Sequence, residues 1–249
     1  MIINVLSINV LIGQEIELPK ALKYFEKEKN ENGFKYLEKL IERDSINPEY
    51  YYSYSLIQLI DSLPYFNVDS SYLNINKALI DFRSITDERE QNKLIKQGMN
   101  LDAFNAQKVK VEKVAFELTI TKNTEDDYNY FIQNYGKNSW LDSAITLRNK
   151  AAFKIAREEN SYGSYRKFME TYPNALEIPE ARSRFERLYF DESTKDQKLS
   201  SFVNFLEDHP NTHYRELAER QILELSTFSG EPEDILSFIN SYPKSAWKK

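Results

Sequence analysis

The sequence has no cysteine, and its 249 residues include only six glycines and eight prolines. The lack of cysteine excludes disulfide bonds, cysteine-ligated zinc, iron–sulfur clusters and thiol catalysis. The small number of glycines and prolines leaves little material for hairpin turns, which argues against a strand-rich fold. We therefore expect an all-α protein that binds no cofactor.

The sequence also lacks an excess of positive charge, because it has 33 Lys and Arg against 39 Asp and Glu, which gives a formal net charge of -6. Binding to the phosphates of nucleic acid requires a positive surface, so we expect no nucleic-acid partner. Hydrophobic residues make up 41% of the chain and charged residues 29%, a composition typical of globular proteins.

Motifs of known catalytic chemistry are missing. The sequence contains no glycine-rich phosphate loop, no G-x-S-x-G elbow and no H-E-x-x-H pair. His209 and His213 are the only histidines, and Pro210 breaks the helix that would bring them together as metal ligands. We interpret His209 as a packing residue and His213 as a turn residue. We predict no catalytic, cofactor-binding or metal-binding residue, and no enzyme activity.

The first segment is apolar from Ile2 to Gly13. It is too short to cross a membrane as a helix, which takes about 20 residues, but its length suits a signal peptide. We interpret residues 1–14 as a signal peptide or leader, with a buried first strand or helix as the alternative. We expect no membrane span in the mature chain.

The C-terminal half contains a repeat of 37 residues. Five sets of residues recur at this interval: Phe116, Phe153 and Phe190; Tyr128, Tyr165 and Phe202; Phe131, Phe168 and Phe205; Tyr135, Tyr172 and His209; and Ala144, Ala181 and Ala218. A shorter fourth copy contributes Ile235, Phe238 and Tyr242. A fixed interval shared by several residue types predicts an array of small structural units.

Each unit has the pattern of two helices. The first carries Tyr-x-x-Phe on one face, as in Tyr165 and Phe168, and ends near Pro173. The second is centred on a small residue such as Ala181, which lets a neighbouring helix approach closely. We call these the Tyr-x-x-Phe helix and the Ala-centred helix. The spacing from Thr194 to Gln197 also suggests a capping box at the start of a helix.

The N-terminal half has helical patterns without this repeat. Residues 34–63 form a predicted helix pair, with Asn47 as a cap and Pro48 at the first helical position. Further helices are predicted over 70–85, 86–99 and 102–120. We divide the chain into an N-terminal helical region at 15–106 and a repeat array at 107–249 whose last unit is truncated.

Two parts of the chain resemble the tetratricopeptide repeat family. The resemblance covers residues 34–63 and 107–243. In the first part it is carried by the run Lys35–Asp44 followed by Asn47-Pro48. In the second part the clearest copy runs from Tyr165 to Asn174 and is similar to repeats of exported Gram-negative envelope proteins. The resemblance implies a right-handed α-solenoid of antiparallel helix pairs, with about twelve helices at this length. It also implies a bacterial, exported protein of the periplasm or cell envelope, with a cytoplasmic location as the alternative.

The resemblance equates the Ala-centred helices with the helices that open each tetratricopeptide repeat. In tetratricopeptide arrays those helices line a concave groove. The candidate partner-binding residues on them are Arg148, Arg184, Arg187, Arg220 and Gln221. Arginine could clamp a carboxylate of an acidic peptide. The alternative is a solvated face whose arginines pair with glutamates on the same helix, as Glu180 and Arg184 could.

Three functions follow from these patterns. The first is a non-catalytic scaffold that binds a protein or peptide in its concave groove. The second is a rigid spacer that presents another module, because only Lys248 and Lys249 follow Trp247, where a partner helix is expected, and this predicts a longer parent protein. The third is a helical-repeat hydrolase of envelope glycans, for which the sequence nominates no catalytic glutamate.

Overall fold

The computed structural model describes residues 20–25, 27, 29–43 and 46–247. Throughout these residues the regular structure is helical, with thirteen helices and no strand. The prediction of an all-α fold is therefore confirmed. Residues 1–14, interpreted from the sequence as a leader, lie outside the described part.

The chain divides into two compact units, Met1–Ala144 and Ile145–Lys249, and the division falls inside a helix. This position differs from the change of sequence pattern at residues 106 and 107. The difference arises because the first helices that carry the repeated aromatic residues pack within the first unit.

The described helices of the first unit are α1 (Lys20–Phe25), α2 (Asn30–Arg43), α3 (Pro48–Ile57), α4 (Val68–Ser84), α5 (Glu88–Lys96), α6 (Leu101–Lys122) and α7 (Glu125–Tyr135). Helix α3 packs along α4, and α4 packs along α6 rather than along the short α5 between them in sequence. The core contains fully or almost fully buried side chains: Leu37, Tyr52, Ile57, Ile75, Phe82, Phe104 and Val111. The first unit therefore departs from a regular series of consecutive helix pairs.

The helices that follow are α8 (Leu141–Glu159), which crosses the division, then α9 (Tyr162–Thr171), α10 (Ile178–Ser193), α11 (Leu199–Asp208), α12 (Arg215–Ser226) and α13 (Pro232–Ser241). Helix α9 packs along α10, and α11 packs along α12. One apolar cluster joins α8, α9 and α10, with Phe153, Tyr165, Phe168, Ala181 and Phe185 among its members. Another cluster contains Phe190, Phe202, Phe205, Ala218, Ile222 and Phe238.

Residues that recur at the 37-residue interval lie in matching environments. The three alanines of the Ala-centred helices, Ala144, Ala181 and Ala218, are all fully buried. One pair of rings recurs as well: the centroids are 5.4 Å apart for Phe116 and Phe131, 5.2 Å for Phe153 and Phe168, and 5.0 Å for Phe190 and Phe205. These contacts are compatible with a helical-repeat fold, in which each unit buries its apolar stripe against its neighbour.

A further repeated feature is the backbone just before each Tyr-x-x-Phe helix, which the sequence analysis does not anticipate. Asn123, Asn160, Gln197 and Gly230 have φ angles of 54°, 45°, 57° and 79°. They follow one another at intervals of 37, 37 and 33 residues, like the aromatic sets. The left-handed conformation is unfavourable for most L-residues, and glycine and asparagine tolerate it best. We call these four positions the junction residues.

In two copies the junction asparagine also bonds to the aromatic residue that follows. The Tyr128 hydroxyl donates to Asn123 Oδ1 at 2.9 Å, and the Tyr165 hydroxyl donates to Asn160 Oδ1 at 3.2 Å. In the third copy phenylalanine replaces this tyrosine and Gln197 replaces the asparagine. Both partners of the hydrogen bond therefore differ together in that copy.

The ends of two helices test the capping predictions. Asn47 caps α3 as predicted, because its side chain accepts a hydrogen bond from the Tyr50 backbone at 3.0 Å. The predicted capping box at Thr194 is wrong. Thr194 follows the C-terminus of α10, where its hydroxyl donates to the Phe190 carbonyl at 2.8 Å, and α11 begins only at Leu199.

Candidate functional site

The residues predicted to bind a partner all lie in the second unit, on the Ala-centred helices. Helix α8 carries Arg148, α10 carries Arg184 and Arg187, and α12 carries Arg220 and Gln221. Among the described contacts, no hydrogen bond or ion pair joins these residues to one another across helices. The structure therefore distributes them over one kind of helix and does not gather them into a cluster.

Arg148 is held by groups of its own unit. Its guanidinium lies over the ring of Tyr172, 4.7 Å from the centroid, and its Nε and Nη2 donate to Asn149 Oδ1 at 3.2 and 2.9 Å. The stacking joins α8 to the residue that caps the C-terminus of α9. Arg148 thus contributes a cation–π contact to the packing of the unit.

Three of the other predicted residues pair with glutamates of the same helix. Arg184 Nε donates to Glu180 Oε1 at 2.8 Å, and this hydrogen bond raises the pKa of Arg184. Gln221 Nε2 donates to Glu224 Oε2 at 3.1 Å, while Arg220 Nε lies 3.7 Å from Glu224 Oε1. Exposed pairs of this kind stabilise a helix only weakly. They form the pattern expected of a solvated helix face.

Arg187 is exposed, as Arg220 is, but its side chain forms no hydrogen bond or ion pair with another described residue. Burial raises the pKa of the nearby Tyr214, Asp191 adds to the rise, and the positive charge of Arg187 opposes it. Of the predicted residues, Arg187 presents the guanidinium that is most available to a partner within the described part of the chain.

An arginine that the sequence analysis missed lies among aromatic rings of α9 and α10. The Arg166 guanidinium is 5.3 Å from the ring centroid of Phe185 and 5.8 Å from those of Tyr162 and Tyr189. Its place four residues after Tyr162 on one helix was a signal that could have identified the first of these contacts. Arg166 is exposed, and its contacts with these rings join α9 to α10 at the surface.

The two histidines occupy different surroundings. His209 packs among rings, 4.6 Å from the centroid of Tyr189 and 5.6 Å from that of Phe205, which agrees with the packing role predicted for it. His213 lies in the turn before α12, and its Nδ1 is 3.0 Å from Glu186 Oε2. Within the described residues, no group of three or more His, Asp or Glu side chains is arranged to hold a metal ion.

The first unit contains an open cleft that the sequence analysis did not predict. Its volume is about 430 Å³, and we call it the aromatic cleft, lined by Phe34, Tyr54, Gln58, Pro64, Tyr65, Phe66 and Asn67. Binding pockets commonly have volumes of roughly 300–1,000 Å³. The aromatic residues after Pro64 were the available signal, but only the packing of α2 against α3 brings Phe34 to the same place.

Rings in edge-to-face contact form the walls of the aromatic cleft. The Phe34 ring lies 4.7 Å from that of Tyr65 at an interplanar angle of 68°, and Phe25 supports Phe34 at 5.0 Å and 84°. Such geometry is favourable for aromatic pairs. Burial and the neighbouring Tyr50 raise the pKa of Tyr54 to about 12, so its phenol is protonated at neutral pH. The aromatic cleft is thus a preformed, neutral surface.

Another tyrosine cluster in the first unit links α4 to α7. Asp69 accepts hydrogen bonds from the hydroxyls of Tyr130, at 2.9 Å, and Tyr135. The Tyr72 hydroxyl donates to the Tyr135 carbonyl at 2.8 Å. Burial, followed by the hydrogen bond to Asp69, raises the pKa of Tyr135. The phenols therefore act as hydrogen-bond donors that hold the two helices together.

Comparison with protein-family models, with curated proteins and with solved structures finds no match. In the part of the chain that the structure describes, no helix has both the length and the apolar character needed to cross a membrane. By its fold and contacts, the described part of the chain is an all-helical protein that is compatible with a helical-repeat architecture.

Proposed function

We propose that this chain is a non-catalytic scaffold that binds a protein or peptide, and that its second unit is a short, right-handed, tetratricopeptide-like solenoid. The observation that carries the proposal is the recurrence of one ring pair and one junction conformation at a shared interval. Stacked helix pairs of this kind commonly present a binding surface built from equivalent helices.

The proposed binding surface is the exposed side of α10 and α12. Arg187 and Arg220 are exposed on these helices. An arginine on such a surface can hold a carboxylate of the partner with two parallel hydrogen bonds. We therefore expect a partner that presents acidic side chains to this surface. The likeness to exported Gram-negative repeats supports a place in the cell envelope as part of the same proposal, within a larger protein.

A rigid spacer is the second candidate function, and a specific observation favours it. Arg184 and Arg220 both have a glutamate partner on their own helix, as residues of a purely solvated face would. A spacer would tolerate the reversal of these charges, whereas a binding surface would not.

The test is affinity capture with the full chain from an envelope extract and, separately, from a cytoplasmic extract. The double variant Arg187→Glu with Arg220→Glu is compared with wild type and with Lys167→Glu plus Lys195→Glu, which changes the net charge equally at other exposed positions. The scaffold predicts that the proteins retained by wild type fall at least tenfold in the arginine variant and persist in the lysine variant. Equal retention by all three proteins would support the spacer.

A further inference from the structure

The aromatic cleft has a fixed shape because its loop is closed by the backbone. The Asn67 N–H donates to the Gln58 carbonyl at 2.9 Å, which closes the segment between α3 and α4. Within this segment Phe66 N–H donates to the Leu63 carbonyl at 3.2 Å, and Pro64 has a restricted φ angle. Tyr65 is thereby held beside Phe34 although 44% of its surface is exposed. A ligand would find the walls already in place, which lowers the entropic cost of binding.

The side-chain amides of the aromatic cleft each have an oxygen that accepts a hydrogen bond within the protein, while their NH2 groups have no such partner. Gln58 Oε1 accepts from Asn74 Nδ2 at 2.8 Å, and Asn67 Oδ1 accepts from the Ser70 backbone at 2.9 Å. By contrast, Gln58 Nε2, Asn67 Nδ2 and the Tyr65 hydroxyl donate to no described residue. The aromatic cleft therefore offers amide and phenol donors beside flat aromatic faces.

The residues that line the aromatic cleft carry no charge. A ligand that suits this surface has flat apolar groups, several hydrogen-bond acceptors and no need for a charged partner. From this complementarity we propose that the aromatic cleft binds a proline-rich peptide segment of a partner in the polyproline II conformation. The inference goes beyond the proposed function, because it assigns the first unit a binding site separate from the surface of α10 and α12.

Each property of a proline-rich segment matches a feature of the aromatic cleft. Its backbone carbonyls are fully solvated and available as acceptors, whereas proline itself has no N–H that would need an acceptor. Its rings stack on aromatic side chains, and its preformed extended helix loses little entropy on docking to an aromatic-lined groove. A neutral sugar also stacks on rings, but its many hydroxyl donors suit this surface less well, because the Gln58 and Asn67 side-chain oxygens each already accept one hydrogen bond.

The test measures binding of a fluorescein-labelled decaproline peptide to the full chain by fluorescence anisotropy. A labelled peptide of the same length with alternating glycine and serine is the peptide control. Tyr65→Ala is expected to weaken decaproline binding at least tenfold, and Tyr65→Phe, which keeps the ring and removes the donor, by roughly two- to tenfold. Phe228→Ala, at an aromatic residue that is 92% exposed in the second unit, is the matched control and leaves affinity unchanged.

Decaproline binding that is no stronger than glycine–serine binding, or that is unaffected by Tyr65→Ala, would overturn the inference. Saturable binding of a neutral oligosaccharide that Tyr65→Ala abolishes, without decaproline binding, would assign the aromatic cleft to glycans instead. Thermal melting by circular dichroism checks that each variant is folded. The two proposals fail separately. Absence of decaproline binding, together with loss of captured proteins in the double variant Arg187→Glu with Arg220→Glu, would reject only the proline-rich ligand. Equal capture of proteins by the arginine and lysine variants would reject the proposed binding surface on α10 and α12.

Discussion

Glu186 fastens the turn before α12 to the surface of α10. Its Oε2 accepts hydrogen bonds from the His213 backbone at 3.3 Å and from Thr212 Oγ1 at 3.4 Å, and it lies 3.0 Å from His213 Nδ1. Burial raises the pKa of Glu186, but the contacts with His213 and Thr212 together outweigh burial, so the pKa lies below its usual range. The carboxylate therefore stabilises the folded state more than its protonated form does.

This depressed pKa predicts a defined pH dependence for Glu186→Gln. The contribution of the carboxylate is fully present above the unfolded pKa of about 4.5 and is lost as the pH falls through the lower folded pKa. We expect the free energy of unfolding of wild type to exceed that of the variant at pH 7 and the difference to shrink below pH 4. Urea denaturation at a series of pH values measures this, with exposed Glu170→Gln as the control. A difference that grows as the pH falls below 4 would contradict the prediction.

At this scale the sequence predicted the residues whose role is local. The Asn47 cap follows from a short-range rule, because its acceptor and donor are three residues apart. The partners of Arg148 and Arg166 include rings from neighbouring helices, Tyr172 and Tyr189, which the sequence does not place beside them. The resemblance suggested a binding role for Arg148, and the structure adds a contact with the Tyr172 ring that the sequence did not predict.

The junction residues link a helix to the Tyr-x-x-Phe helix that follows. Asn123, Asn160 and Gly230 are residue types that suit a positive φ angle. The remaining junction residue is Gln197, with a φ angle of 57°. Glutamine adopts this conformation less readily than asparagine, although the Gln197 Nε2 donates locally to the Thr194 carbonyl at 3.0 Å. The link between α10 and α11 is therefore the one that carries backbone strain.

We expect Gln197→Gly to raise the free energy of unfolding by about 0.5 kcal/mol, because relief of the left-handed strain exceeds the entropic cost of glycine. Asn160→Ala makes the opposite change, since it places alanine at φ of 45° and removes the acceptor of Tyr165. It should lower the free energy of unfolding by about 1–2 kcal/mol. Urea denaturation of both variants is the measurement. A clear loss of stability in Gln197→Gly would show that the side-chain bond to Thr194 matters more than the strain.

Helix positions were largely predictable from periodicity, and the errors lie at ends and in packing order. The predicted helix over 70–85 corresponds to α4 and that over 102–120 to α6. The start at Thr194 was wrong because a hydroxyl can bond back to the carbonyl of the preceding turn as readily as it caps the next helix. That α4 packs on α6 and bypasses α5 is a tertiary preference, which the spacing of apolar residues within one helix does not contain.

At the scale of the whole molecule, the 37-residue interval predicts that the stability of each helix pair depends mainly on the pairs next to it. In a stacked array each helix pair contacts mainly the pairs next to it, so a local defect destabilises nearby pairs first. The apolar cluster of α8, α9 and α10 and the cluster around Phe202 and Phe205 are distinct in the second unit. This separation allows the proposed solenoid to be tested without knowledge of a partner.

Phe168→Ala should lower the free energy of unfolding by about 3–5 kcal/mol, because the ring is 4% exposed and its loss leaves a cavity. Hydrogen–deuterium exchange should increase most in α8, α9 and α10 and least in α12 and α13. Phe228→Ala, at a solvated aromatic residue, should change stability by less than about 0.5 kcal/mol. A uniform increase in exchange across the second unit would indicate a single cooperative core and would argue against the solenoid.

The sequence predicted the repeat but not the aromatic cleft, and the reason is physical. The sets of residues that recur at a fixed interval keep the same residue type, as Ala181 and Ala218 do, so the sequence alone identifies them. The aromatic cleft unites Phe34, Tyr54 and Tyr65 from two helices and a loop that share no interval. Such a surface depends on how α2 meets α3, which is decided by packing over the whole unit.

The junction residues have a consequence for how such a chain can change length. Since Asn123, Asn160 and Gln197 have similar positive φ angles, each block between two of them begins and ends at residues of the same backbone region. Excision or duplication of one complete block would thus splice two compatible ends, whereas removal of half a block would join ends of different geometry. In the proposed solenoid, the repeated left-handed residue would make the length adjustable in whole modules.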